Sequence, residues 1–133
     1  MVAFVWNLAL LALAAPALAM PAPNGTVELS KRAITSPSYN WADCQGYNFY
    51  QKSAVTAAAQ EAVRLLQDGD TVGFNSYPHR YYNSENIPFQ AGCNSPWYEF
   101  PILPNGKLFT GWSGPGTDRV VIGTWSGANA HLC

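Results

Sequence analysis

Apolar positions along the chain follow a helical period in only one clear stretch. Between Ser53 and Gln67, Val55, Ala59, Ala62 and Leu66 recur at helical spacing, and Ala58, Val63 and Leu65 widen the stripe. Ser53 is placed to cap the start and Asp68-Gly69-Asp70 to stop the end. Elsewhere the pattern is strand and turn. Aromatic residues on both sides of Gly46, from Tyr39 to Tyr50, predict a hairpin. Trp97 to Leu103, Lys107 to Gly111 and Asp118 to Ile122 read as consecutive strands. Pro104-Asn105-Gly106 turns the first into the second, and Gly111 to Gly116 leads into the third. One helix with an antiparallel sheet is a small α+β domain.

The first residues have a different pattern. Val2 to Ala19 is apolar apart from Asn7 and ends in Ala17-Leu18-Ala19, a small-x-small cleavage pattern. It reads as a secretory signal peptide over 1–19; Pro16 and the short apolar core argue against a membrane anchor. A polar segment, 20–32, ends in the dibasic pair Lys31-Arg32 and reads as a propeptide. The domain proper is expected over 33–133, with no membrane association once the leader is removed.

Composition bounds what such a domain does. At 133 residues the chain has room for one domain. Aromatic residues make up 14%, enough bulk for a core, and only 11% is charged, which argues against disorder. The net charge of −1 provides no broad basic field for gripping duplex nucleic acid. An exported chain is expected to use its cysteines in disulfides, yet there are three, Cys44, Cys93 and Cys133. No two have the spacing of a metal site, and no cofactor or metal is expected.

Three polar residues carry candidate chemistry. His79 follows Tyr77-Pro78, and the proline restrains both its own backbone and that of Tyr77, a frame that can aim an imidazole. The alternative is a surface histidine in a polar loop. Glu99 alternates with Trp97 and Pro101 on one strand face. Bounded by Trp, Tyr, Phe and Pro, its carboxylate is partly stripped of water, a setting that suits a general base; the alternative is an edge charge facing solvent. Arg119 opens Asp118-Arg119-Val120-Val121-Ile122, alternating with Val121 while Asp118 alternates with Val120. Beside Glu99 it would clamp a phosphate; otherwise it is half of a surface pair with Asp118. Gly114-Pro115-Gly116 could bring backbone amides to a phosphate, although such triplets are usually plain turns. Together His79, Glu99 and Arg119 form a metal-free set for phosphodiester cleavage. The carboxylate deprotonates a ribose 2′-OH, the cations hold the phosphate, and a protonated group releases the 5′-oxygen.

YPHRYYN (77–83), PWYEFPI (96–102) and SGPGTDRVVI (113–122) resemble, in order and spacing, the fungal guanyl-specific ribonucleases of the ribonuclease N/T/U family. The likeness runs from about Tyr39 to Cys133 and includes the helix and Cys44. It implies the microbial ribonuclease fold and a secreted, monomeric endoribonuclease. The implied reaction cleaves single-stranded RNA 3′ of guanosine through a 2′,3′-cyclic phosphate. By the same resemblance Glu99 is the general base and His79 assists it. Arg119 holds the phosphate and Tyr77 bonds a phosphate oxygen. Tyr81 stacks on the purine, with Tyr82, Asn83 and Glu85 completing a base-binding loop in which Glu85 accepts hydrogen bonds from the guanine edge. Strictly guanine-specific members usually have Asn where this chain has Tyr82, and Tyr where it has Ser84. The Tyr81-Tyr82 pair and the cysteine before SPW are closer to the purine-preferring branch. The resemblance also implies a Cys93–Cys133 disulfide and an unpaired Cys44. Family members continue into a strand whose histidine is the general acid. This chain is expected to stop before it, leaving the last strand or strands missing, and His131 does not match that histidine. The alternatives are a catalytically impaired, ribonuclease-like secreted RNA-binding or interaction protein and an aromatic-rich carbohydrate-binding domain. The second would not require His79, Glu99 and Arg119 together.

Overall fold

A computed structural model describes residues 32–133; the leader and propeptide assignments therefore lie almost wholly outside the described residues. The chain runs β1 (Ala33–Thr35), β2 (Trp41–Cys44), β3 (Asn48–Gln51), α1 (Lys52–Asp68), β4 (His79–Tyr81), β5 (Trp97–Pro101), β6 (Arg119–Ser126) and β7 (Asn129–Leu132). One sheet has the order β1-β7-β6-β5-β4, and β2 and β3 form a separate hairpin. Strands β4 to β7 pair antiparallel in succession, while β1 joins β7 in parallel, so the sheet is mixed rather than wholly antiparallel.

The helix packs on one face of the sheet. Val55, Ala58, Ala59, Ala62, Val63 and Leu65 are its buried residues, and they meet Phe100, Val120, Ile122 and Ala130 in a single core. Three of those helix residues are alanines, whose small side chains let the helix backbone approach the sheet closely. Burying side chains the size of Phe100 and Ile122 contributes about 1.5–3 kcal/mol each. Gly69 ends the helix in the left-handed conformation, where its own N–H and that of Asp70 close onto the carbonyls of Leu66 and Leu65.

Three expectations need correction. Ser53 does not cap the helix. Strand β3 leads straight into α1 from Gln51, which makes no side-chain cap, and the Lys52 N–H is taken by the Asn40 carbonyl. Lys107 to Gly111 is not a strand. The Pro104-Asn105-Gly106 turn does form, but Phe109 then plunges into the core against Phe100 and Tyr77, so no extended edge is left to pair. Strand β5 instead pairs directly with β6, and residues 102–118 form the loop between them. Finally, β6 continues to Ser126 and hairpins into β7, which the apolar pattern did not reveal.

Candidate active site

Register places the three candidate residues together. His79 on β4 lies opposite Glu99 on β5, and Glu99 lies opposite Val121 on β6. Side chains directly opposite share a face, and so do residues two apart, so Arg119 joins this row. Phe100, Val120 and Ile122 take the alternate positions and bury against the helix. Glu99 and Arg119 therefore line one cleft of about 960 Å³ on the face away from the helix. Tyr81, Glu85 and Ile87 form one wall, and the hairpin tip from Asp43 to Asn48 forms the other.

His79 and Glu99 form a direct pair, with Nε2 2.5 Å from Oε1. The opposite ring nitrogen, Nδ1, lies 2.9 Å from the Asn75 carbonyl. A carbonyl oxygen only accepts, so Nδ1 carries a proton. One further proton is then shared between Nε2 and the Glu99 carboxylate. The pair is either imidazolium–carboxylate or neutral imidazole–carboxylic acid. In both states the ring is aimed, and a proton can move between the two groups without either leaving its place. The side chains are 36% and 20% exposed, open to a ligand but partly shielded.

Arg119 is docked rather than free. Nη1 donates to the carbonyls of Gly116 (2.9 Å), Asp118 (2.8 Å) and Pro115 (3.3 Å), and Nη2 donates to the Tyr77 hydroxyl at 2.7 Å. The Gly114-Pro115-Gly116 turn thus presents carbonyls to the arginine. Tyr77 is buried and joins the two halves of the site. Its ring stacks on His79 at 4.5 Å, lies under the Arg119 guanidinium at 5.0 Å and rests edge-on against Phe109. Reciprocal backbone bonds between Val72 and Tyr77 close the loop that presents the Asn75 carbonyl.

Next to Arg119, Asp118 ties the site strand to the hairpin. Its Oδ2 accepts from the Tyr50 hydroxyl at 2.7 Å and from the Asn48 amide at 2.8 Å, and Oδ1 accepts from Thr117. Burial works to raise its pKa. The bonds from Tyr50, Asn48 and Thr117 and the charge of Arg119 outweigh it, holding the carboxyl below the ordinary 3.8. Carrying its proton against the same carboxylate, the Tyr50 hydroxyl is pushed far above its usual range by burial first and this bond second. This network escaped the sequence reading. The signal was present in the placement of Asp118 on the Val120 face of the strand, where an acid needs partners.

In the loop after β4, Tyr81 donates its hydroxyl to Glu85 at 2.6 Å. That bond, with some burial, pushes the Tyr81 pKa up to about 12 and lowers that of Glu85. Tyr81, Phe89 and Trp97 form an aromatic ledge with ring centroids 6.1 and 5.1 Å apart. Asn83 staples the loop, bonding both the N–H and the carbonyl of Ile87. Tyr82 is not brought into the cleft. Its ring lies 5.6 Å from the Arg80 guanidinium, which also covers Tyr98 on the opposite face of the sheet. Cys93 is bonded to Cys133, with Cα atoms 5.4 Å apart, and Cys44 has no partner. Burial, followed by the charges of Asp118 and Asp43, pushes the Cys44 thiol up. His131 pairs with Gly123, one row out from Glu99 and Val121. Its ring lies against Gly92, outside the residues lining the cleft.

A helix laid on a mostly antiparallel sheet, with a carboxylate–imidazole pair beside a docked guanidinium on its open face, defines a small α+β domain built to handle a phosphodiester. The ribonuclease family model matches residues 39–133, and the chain belongs to that family. It is 40% identical over 126 residues to guanyl-specific ribonuclease N1 of Neurospora crassa, an alignment covering 90% of this chain and 80% of that one. Guanyl-specific ribonuclease T1 of Aspergillus oryzae is 43% identical over 100 residues, 73% of this chain and 75% of its own. The extracellular guanyl-specific ribonuclease Fl1 of Gibberella baccata is 44% identical over 85 residues, 62% of this chain and 77% of its own.

Proposed function

We propose that this chain is a secreted, monomeric endoribonuclease that cleaves single-stranded RNA 3′ of guanosine. The reaction is transesterification to a 2′,3′-cyclic phosphate. The observation that carries this reading is that Glu99, paired with His79, lines one cleft together with Arg119, Tyr81 and Glu85. Glu99 takes the proton of the ribose 2′-OH, and the 2′-oxygen attacks phosphorus. His79, held by the Asn75 carbonyl, orients the carboxylate and balances its charge. Arg119 stabilises the charge that develops on the phosphate oxygens. Tyr77 accepts from Arg119, so its own hydroxyl proton remains for a phosphate oxygen.

Tyr81 stacks on the base. Glu85 keeps one oxygen for the Tyr81 hydroxyl and offers the other to guanine, whose N1–H and N2–H₂ both donate. Adenine presents an acceptor at N1, so the carboxylate favours guanine. Secretion is supported by the apolar leader ending at Ala19, with release of the domain after Arg32, and by the extracellular relative.

His131, whose ring lies against Gly92, is not among the residues lining the cleft, and none of the described residues is assigned here to protonate the departing 5′-oxygen. The same observation favours a second reading, an RNA-binding protein with weak cleavage, because a positioned acid contributes about 10²–10⁴-fold.

Refolded, oxidised protein incubated with GpC and ApC tests both readings. Release of guanosine 2′,3′-cyclic phosphate in preference to the adenosine product is expected, with Glu99→Gln slower by about 10²-fold or more. Protein with native near-UV circular dichroism that binds GpC but releases no cyclic phosphate would establish the second reading. Unchanged turnover in Glu99→Gln would remove Glu99 from its role.

A further inference from the structure

Phe74 and Trp112 are the two most exposed large apolar side chains among the described residues, at 103% and 96%. Each belongs to a loop that holds a site residue. Phe74 precedes Asn75, whose carbonyl bonds His79, and Trp112 lies in the loop whose Pro115 and Gly116 carbonyls bond Arg119.

The two loops touch just before these rings. A Cβ added at Gly111 would lie 2.5 Å from the Gly73 backbone nitrogen, and one added at Gly73 would lie 2.9 Å from the Phe109 ring. Both glycines have positive φ, 79° at Gly73 and 91° at Gly111. The backbone is therefore locked where Phe74 and Trp112 emerge, one residue beyond each contact. Exposed aromatic rings gain nothing from folding, yet here two of them stand on a fixed base at the rim of the phosphate site.

From this rim the chain enters strand β4 at His79 and leaves it at Tyr81. The base ledge and the Phe74–Trp112 rim thus lie at opposite ends of the His79–Glu99 pair. We infer that Phe74 and Trp112 form a stacking platform for the nucleotide that follows the scissile phosphate, an inference that rests on the ribonuclease reading above. Unpaired RNA bases stack on aromatic side chains, and rings held in place lose little freedom when they do so. RNA fits better than a lipid surface. Both loops hold groups of the proposed phosphate site, through the Asn75 carbonyl on His79 and the Pro115 and Gly116 carbonyls on Arg119, whereas nothing in either loop is specific to a lipid surface.

The test compares wild type with Phe74→Ala, Trp112→Ala and the double variant. Both side chains are fully exposed, so the fold should survive. One substrate is GpA, which places a purine on the platform. The other is guanosine 2′,3′-cyclic phosphate, which has no following nucleotide. The double variant should lose roughly 5- to 150-fold in kcat/KM on GpA and keep its rate on the cyclic phosphate. Equal losses on both substrates, or none on either, would overturn the platform. If the wild type cleaves neither, the ribonuclease reading fails by itself. Affinity for the non-cleavable 2′-deoxy-GpA then decides, and equal affinity in wild type and double variant would refute the platform. Anionic vesicles bound by wild type but not by the double variant, with affinity for RNA unchanged, would assign the rings to lipid instead and overturn the inference.

Discussion

Replacing Asp118 with Asn should destabilise the domain more than any other nearly isosteric change at the site. The carboxylate accepts from Tyr50 at 2.7 Å and from Asn48 at 2.8 Å through the same oxygen. Tyr50 is only 3% exposed, and its other acceptor, the Ile102 carbonyl, is 3.5 Å away. Hydrogen bonds to a charged group contribute about 1.5–3 kcal/mol each. Asn retains one acceptor oxygen but loses the charge, so part of each bond survives. Asp118 itself is partly exposed, which lowers the figure further. The expected loss is about 3 kcal/mol, or roughly 12–24 °C in Tm for a domain of this size. Urea unfolding at pH 7 should show a lower midpoint with an unchanged slope. The difference should also depend on pH with a definite sign. In the native state the carboxyl titrates below 3.8, so as pH falls the unfolded chain takes up the proton first. The stabilisation is complete above the ordinary carboxylate value and is lost as pH falls through the native one. Wild type and Asp118→Asn should therefore converge in acid. A loss under about 1 kcal/mol at pH 7, or a gap that widens in acid, would refute the reasoning.

Phe100→Ala should cost about 3–5 kcal/mol by urea unfolding, because the ring is fully buried between the helix and Phe109. Replacing Cys93 and Cys133 together with Ser opens a loop with a sequence separation of 40, and should lower stability by about 4 kcal/mol on the chain-entropy estimate. Tyr81→Phe keeps the stacking ring but removes the bond that lowers the Glu85 pKa. The acid limb of guanosine monophosphate binding should then move to higher pH, by fluorescence titration, with affinity at pH 7 changed less than tenfold.

The sequence by itself determined those features that depend on local spacing. Period-3.6 alternation located the helix to within a residue at each end. Period-2 alternation put Glu99 on the face opposite Phe100, and Arg119 on the face opposite Val120. The aromatic hairpin around Gly46 was legible because its turn and strands are contiguous. What could not be read there depends on contacts between residues far apart in the chain. Strand β1 is three residues long and pairs only because β7 offers an edge. Phe109 overrode its strand-like neighbours because the core between Tyr77 and Phe100 had room for a ring. The Asn75 carbonyl that sets the proton on His79 belongs to the backbone of a loop, where residue type carries little signal. By contrast, Tyr82, two residues after Arg80, follows it to the other face by that same period-2 alternation, so its exclusion from the cleft was legible in the spacing. Local periodicity decides which side of an element a residue occupies, but only the folded chain decides what meets it there.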